Sequence, residues 1–219
     1  KQTTNTAYGM AYGLLVHDMI ERFLLHAFGM SAHTYTRGTF TTPEAVHPDR
    51  EVGSTDYVAA GVHTAPTYLK WALVFEDPNT KAVWLGKALP REWLEADTPP
   101  VVVRRATTRY GRISYVFTAS SSASRRGAGP VGAVAAGYTI HVNVSLPTTY
   151  IGTGGPPGGL VLRLRTPVAH VGGLASVTVG SQPWTAIDAK TETVTFKFED
   201  LTAERLQSMQ RIVAVYTSE

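Results

Sequence analysis

The chain has 219 residues, of which 43% are hydrophobic and 17% are charged, and its formal net charge is +3. This length and apolar content allow one large domain or two small ones with a real core. The absence of cysteine excludes disulfides, thiolate metal sites and a cysteine nucleophile. The small excess of basic over acidic residues argues against a nucleic-acid partner. No apolar run approaches the roughly 20 residues of a membrane-spanning helix.

Two helical patterns open the chain. Residues 6–29 carry apolar side chains at spacings of three and four and predict one mostly buried helix, with Gly29 as its C-terminal cap. A second helix is expected from about Tyr57 to Phe75, and it ends before Pro78 because proline disfavours helical backbone in the residue that precedes it. Two apolar helices cannot bury their faces against each other alone, so they require partners outside this sequence.

The periodicity changes after Lys81, where short alternating segments predict strands. Arg163 and Arg165 alternate with leucines, a pattern typical of a sheet with one face in solvent. The glycine-rich segments Ser120–Gly137 and Thr148–Gly159 are expected to be flexible loops. Strands are predicted at 82–89, 101–105, 112–119, 138–146, 160–166, 176–179, 193–198 and 211–216.

The fold class predicted from these elements is α+β: two N-terminal helices followed by an antiparallel β-sandwich of seven to eight strands. The predicted first domain, residues 1–80, holds the helices and the loop between them. The predicted second domain, residues 81–219, holds a linker strand and the sandwich.

The loop Thr34–Asp56 is the chain's main concentration of polar and aromatic side chains. A loop of this length inside a compact domain is usually functional or disordered, and its aromatic residues favour function. His47, Asp49 and Glu51 alternate in a way that suits a cation if the backbone is extended. Nothing else in the sequence corroborates such a site, so a surface loop is the preferred interpretation, and no metal or cofactor is predicted.

Four segments carry a resemblance to a known superfamily: TRGTFTTPE (36–44), LKWALVFEDP (69–78), VWLGKALPREWL (83–94) and SVTVGSQPW (176–184). They resemble the C-terminal part of large glycosidases of the six-hairpin superfamily. The resemblance implies that the two helices are the remnant of an (α/α)6 toroid, which is followed by a C-terminal β-sandwich. It also implies that the chain is a C-terminal piece and that an N-terminal helical polypeptide completes the toroid. A secreted or cell-surface location is favoured.

Glycoside hydrolysis commonly uses two carboxyl groups, one held protonated and one ionised. Glu44 is the best candidate because the neighbouring apolar Phe40 favours a protonated carboxyl. Glu51 is its predicted partner, and Asp49 and Asp56 remain alternatives. A purely structural role for these residues, bracing the loop through salt bridges and caps, also stays open. The predicted binding residues for a polysaccharide or oligosaccharide are Arg37, Tyr35, Phe40, His47, Asp49 and Trp71.

The function expected from the residues and the resemblance is hydrolysis of glycosidic bonds in a cleft that the missing helices complete. The alternative is a non-catalytic protein, in which the sandwich binds carbohydrate or supports an assembly.

Overall fold

The computed structural model describes residues 2–3, 7–35, 42–47, 49, 51, 58–121 and 137–217. The chain divides into two compact units, Lys1–Leu73 and Val74–Glu219. This division lies a few residues before the predicted boundary at 80/81, because residues 74–76 form a strand that pairs within the second unit.

The first unit is mainly helical. Its short strands β1 and β2 pair antiparallel, with Gln2 opposite Val46. In chain order its elements are β1 (Gln2–Thr3), α1 (Ala7–Val16), α2 (Ile20–Thr34), β2 (Ala45–Val46), α3 (Ala59–Val62) and α4 (Thr64–Leu73).

The single helix predicted over residues 6–29 is wrong, because α1 and α2 are separated by a turn. Asp18 in this turn has a left-handed backbone with φ 56°, and the amide of Met19 donates to the carbonyl of Leu14. Apolar residues continue at helical spacing on both sides, so the sequence pattern hides the break. Gly29 therefore lies inside α2 and does not cap it.

The second predicted helix is interrupted and shorter than expected. It consists of α3 and α4 and ends at Leu73, after which the chain continues as a strand. Val74 and Phe75 pair with Leu85 and Trp84. The last residues of the helical pattern thus form a strand because a neighbouring strand pairs with them. Helical periodicity gives no information about such pairing.

The second unit contains two sheets. The five-stranded sheet has the order β11-β12-β8-β4-β3 and the six-stranded sheet has the order β10-β9-β13-β7-β6-β5. All neighbours are antiparallel except β4 and β8. In chain order the elements are β3 (Val74–Glu76), β4 (Val83–Leu85), β5 (Val101–Thr108), β6 (Gly111–Ser121), β7 (Tyr138–Ser145), β8 (Leu160–Arg163), β9 (Leu174–Val179), β10 (Gln182–Trp184), β11 (Ile187–Asp188), β12 (Thr193–Phe196), α5 (Ala203–Ser208) and β13 (Ile212–Tyr216).

The two sheets enclose the core of the second unit. Ile113, Tyr115 and Phe117 alternate along β6 and are buried. At the sandwich's end the Trp184 ring of one sheet stacks on Phe196 of the other, with centroids 4.8 Å apart. The predicted α+β class with a mostly antiparallel sandwich is confirmed in this broad form. The sheets hold more strands than predicted, because several edge strands have only two or three residues.

Arg163 and Arg165 do not face solvent as predicted. Their exposed fractions are 5% and 3%. Arg163 is the last residue of β8, which lies in the interior of its sheet and has all four of its residues buried, and Arg165 follows two residues later. The Arg163 guanidinium lies 5.2 Å from the Trp84 ring centre, and the Lys87 ammonium lies 3.7 Å from the same ring. Cation–π contacts therefore accommodate the cationic side chains on this face.

The segment Thr148–Gly159, which was expected to be flexible, is ordered by packing. Tyr150 within it is fully buried, and its hydroxyl lies 2.9 Å from that of Thr108. Residues 122–136 of the other predicted flexible loop lie outside the described residues.

Candidate functional site

An aromatic cluster forms where α1, α2 and α4 meet in the first unit. Each helix contributes two rings, which are spaced four residues apart on α1 and three apart on α2 and α4. These positions share a helix face. The members of the aromatic cluster are Tyr8, Tyr12, Phe23, His26, Tyr68 and Trp71.

Trp71 lies at the half-exposed side of the aromatic cluster. Its ring centre is 5.3 Å from that of Tyr12 and 6.4 Å from that of Tyr8, to which it is nearly perpendicular. Tyr68, 6.2 Å away, is buried beneath. Edge-to-face and tilted contacts at these distances are the arrangements that aromatic rings prefer. The cluster thus has a packed base and an accessible rim of Tyr8, Tyr12 and Trp71.

Polar groups accompany the rings. The Tyr68 hydroxyl lies 3.3 Å from His26 Nε2, and Thr64 Oγ1 donates to the Tyr8 hydroxyl at 3.1 Å. Burial, and secondarily the nearby Tyr8, raises the pKa of Tyr68 to about 12, so this hydroxyl stays protonated at neutral pH. A rim of edge-to-face and tilted rings, with hydroxyl and imidazole groups beside it, can contact both the apolar and the hydroxylated parts of a sugar.

Of the predicted binding residues, Trp71 contacts the Tyr8 ring, and Tyr35 is held by a hydrogen bond to the start of the α3–α4 connection. Burial, and secondarily the nearby Tyr8, raises the pKa of Tyr35, whose hydroxyl donates to the carbonyl of Val62 at 3.5 Å.

Three other predicted residues meet in a tight turn. The amide of His47 donates to the carbonyl of Glu51 at 3.0 Å, and the Asp49 carboxylate accepts from the amide of Glu51 at 3.0 Å. All three side chains are exposed. Among the described residues there is no group of three His, Asp or Glu placed to hold a metal ion, so the alternating triplet does not form a cation site.

Glu44 precedes β2 and its side chain is exposed. The segment that carries it is anchored, because Thr42 and Val58 exchange hydrogen bonds and Ala45 is buried against the short sheet. The backbone position of Glu44 is thus defined. Arg37 and Phe40 lie outside the described residues, so the proximity of Phe40 to Glu44 stays a prediction.

Tyr8, Tyr12 and His26 are not among the site residues predicted from the sequence. All three lie in residues 6–29, which were predicted to form one mostly buried helix. The available signal was the ring pairs at helical spacing on three helices, which point to one aromatic surface if the helices pack together.

Comparison of the chain with protein-family models, with curated proteins and with solved structures found no match. Within the described ranges, no helix combines the length and the apolar character needed to cross a membrane.

Proposed function

We propose that the chain binds carbohydrate through the aromatic cluster, as the C-terminal part of a protein that resembles the six-hairpin glycosidases. The observation that carries this proposal is the half-exposed rim of Tyr8, Tyr12 and Trp71, with ring centres 5.3 and 6.4 Å from that of Trp71. Such a rim offers aromatic rings to the C–H face of a pyranose. The adjoining hydroxyl and imidazole groups supply hydrogen bonds to its hydroxyls.

The test is binding of neutral gluco-, manno- and galacto-oligosaccharides to the 219-residue chain by isothermal titration calorimetry. Trp71→Ala removes the central ring of the rim, and we expect its affinity for the bound sugar to fall about tenfold, which equals about 1.4 kcal/mol. Trp93→Ala is the matched control, because Trp93 is 37% exposed and belongs to the second unit. Equal affinity of the wild-type protein and Trp71→Ala would remove the cluster from sugar binding.

We further propose that additional helices pack on the first unit and complete a helical toroid. Large apolar side chains on the two long helices support this proposal: Met10 is 61% exposed, Leu25 78% and Phe28 58%. Leu25 and Phe28 are three residues apart on α2 and share a helix face, and exposed apolar patches mark interaction sites. A polypeptide packed there would reduce the solvent around the neighbouring loop, which is the condition that a protonated catalytic carboxyl requires.

In the completed protein, Glu44 is the proposed general acid of glycosidic-bond hydrolysis. Glu44→Gln keeps the side-chain shape and removes the proton that a leaving-group oxygen needs, so turnover is expected to fall by about 100-fold or more while folding is unchanged. Turnover of reducing-end-labelled oligosaccharides measures this. Glu92→Gln, an exposed carboxylate of the second unit, serves as the control. If Glu44→Gln keeps full turnover, Glu44 is not the general acid of the reaction.

A further inference from the structure

A groove of about 200 Å³ crosses the outer face of the six-stranded sheet, in the second unit. We call it the outer-sheet groove. Its floor includes Val116 and Val213, and polar side chains stand at its sides. Pockets for drug-sized ligands begin at about 300 Å³, so the groove has room for a single sugar unit or a comparable group. The polar residues that line it are Thr118, His141, Asn143, Gln210 and Arg211.

The backbone holds these polar side chains in fixed positions. Thr118 and His141 are directly opposite each other on β6 and β7, as are Val116 and Asn143. Arg211 precedes β13, where its amide donates to the carbonyl of Ser208 and its carbonyl accepts from Gly180 at 2.7 Å. Neighbouring side chains on paired strands lie close enough to contact one ligand.

The ionisable Arg and His residues in the strands of this sheet are basic, and no acidic residue accompanies them. None of its six strands contains Asp or Glu, whereas β5 and β6 contain Arg104, Arg105 and Arg112 and β7 contains His141. No residue lining the groove is acidic. A guanidinium with neutral amide and hydroxyl groups around it favours a carboxylate or sulfate, since charge-assisted hydrogen bonds are the strongest of their kind.

The lining differs from that of the aromatic cluster in one decisive respect. Apart from the imidazole of His141, it has no ring on which a sugar face can stack. Recognition in the groove therefore depends on charge and hydrogen bonds, and a neutral sugar finds little to bind. The two surfaces select different saccharide chemistry.

We propose that the outer-sheet groove binds the acidic group of an anionic polysaccharide, either a uronate carboxylate or a sulfate ester. Arg211 forms the ion pair, and Asn143, Gln210 and Thr118 hydrogen-bond the anion and its neighbouring hydroxyls. The choice of a saccharide as the carrier of the anion rests on the proposed function. The charge recognition rests on the lining alone.

The experiment is an NMR titration of the isotope-labelled 219-residue chain, read at the side-chain amides of Asn143 and Gln210. This readout is local to the groove, so it does not depend on binding at the aromatic cluster. The ligands are an oligogalacturonate, a sulfated galactan oligosaccharide and the matching neutral galactan oligosaccharide. We expect shifts with one or both acidic ligands, weaker binding at higher salt and no shifts with the neutral one.

Arg211→Gln is expected to weaken binding of the acidic oligosaccharide about tenfold. Asn143→Asp places a negative charge in the groove and is expected to abolish this binding. Arg112→Gln removes an equal charge from the same sheet outside the groove and should change affinity by less than about twofold. An equal loss with Arg112→Gln, equal shifts with the neutral ligand, or no shifts at all would overturn the proposal.

Two further ligands complete the test. If inorganic sulfate bound as tightly as the acidic oligosaccharides, or more tightly, the groove would be assigned to a free anion. Equal or tighter binding of a single-stranded oligonucleotide would assign it to phosphates, and either result would overturn the saccharide assignment. Loss of neutral-sugar binding by Trp71→Ala with unchanged acidic binding would show that the two sites are independent.

Discussion

At the scale of single residues, one buried carboxylate organises the linker of the second unit. Glu192 accepts hydrogen bonds from both terminal nitrogens of the Arg91 guanidinium at 2.9 Å. It also accepts hydrogen bonds from the amide and the hydroxyl of Thr166, at 3.1 and 2.7 Å. Arg91 lies in VWLGKALPREWL (83–94), one of the four segments that resemble the six-hairpin glycosidases. Its partner is 101 residues away, so nothing local in the sequence predicted this pair. The structure gives the arginine of that segment an architectural role.

Glu192→Gln removes the charge and leaves the Arg91 guanidinium without its counter-ion in a mostly buried place. We expect the free energy of unfolding to fall by about 2–4 kcal/mol, because breaking one side of a buried ion pair leaves an uncompensated charge. Urea unfolding followed by circular dichroism measures the change.

Glu76→Gln is the matched control. Its carboxylate pairs with Arg109 at 3.1 Å on the exposed surface, where such pairs contribute about 0–1 kcal/mol. A loss for Glu192→Gln no larger than that for Glu76→Gln would show that the linker pair is not an important source of stability.

At the scale of elements, the alternation of apolar and polar residues predicted the strands that bury one face. It did not predict that β8 buries both of its faces. Ile113, Tyr115 and Phe117 of β6 point inward as the pattern requires. Arg163 also fits an alternating pattern, but it is buried because cation–π contacts replace water on that face. The turn at Asp18 was equally invisible, since apolar spacing continues across it. Periodicity reports which side of an element is apolar, but it does not report what covers the other side.

The loop before β8 depends on a glycine for a close backbone approach. Gly159 has φ +74°, and a Cβ there would overlap the carbonyl of Phe196. We expect Gly159→Ala to lower the free energy of unfolding by about 2–5 kcal/mol, of which about 1–2 come from the left-handed backbone and about 1–3 from the overlap. Thermal and urea denaturation measure this effect.

Gly172→Ala separates these two contributions. Gly172 has φ +82°, but a Cβ there meets nothing within 4 Å, so only the backbone cost of about 1–2 kcal/mol applies. Equal losses for the two variants would mean that Gly159 is required for its conformation alone and not for the close approach.

At the scale of the whole molecule, the chain consists of a helical unit and a sandwich unit, each with its own candidate surface. From the sequence alone, the loop Thr34–Asp56 and Trp71 predicted a site in the first unit. The cluster around Trp71 was not predictable, because its rings come from three helices whose packing the sequence does not specify. The outer-sheet groove was also unseen, because its polar lining comes from strands and a turn that only the sheet order brings together.

The most direct test of the central claim is amide hydrogen exchange on the 219-residue chain, with and without a saturating neutral oligosaccharide. We predict slower exchange in α1, the N-terminal half of α2 and α4, which carry the aromatic cluster, and unchanged exchange in the strands of the second unit. Protection confined to residues 74–217, or no protection in any segment at saturation, would contradict carbohydrate binding by the helical unit.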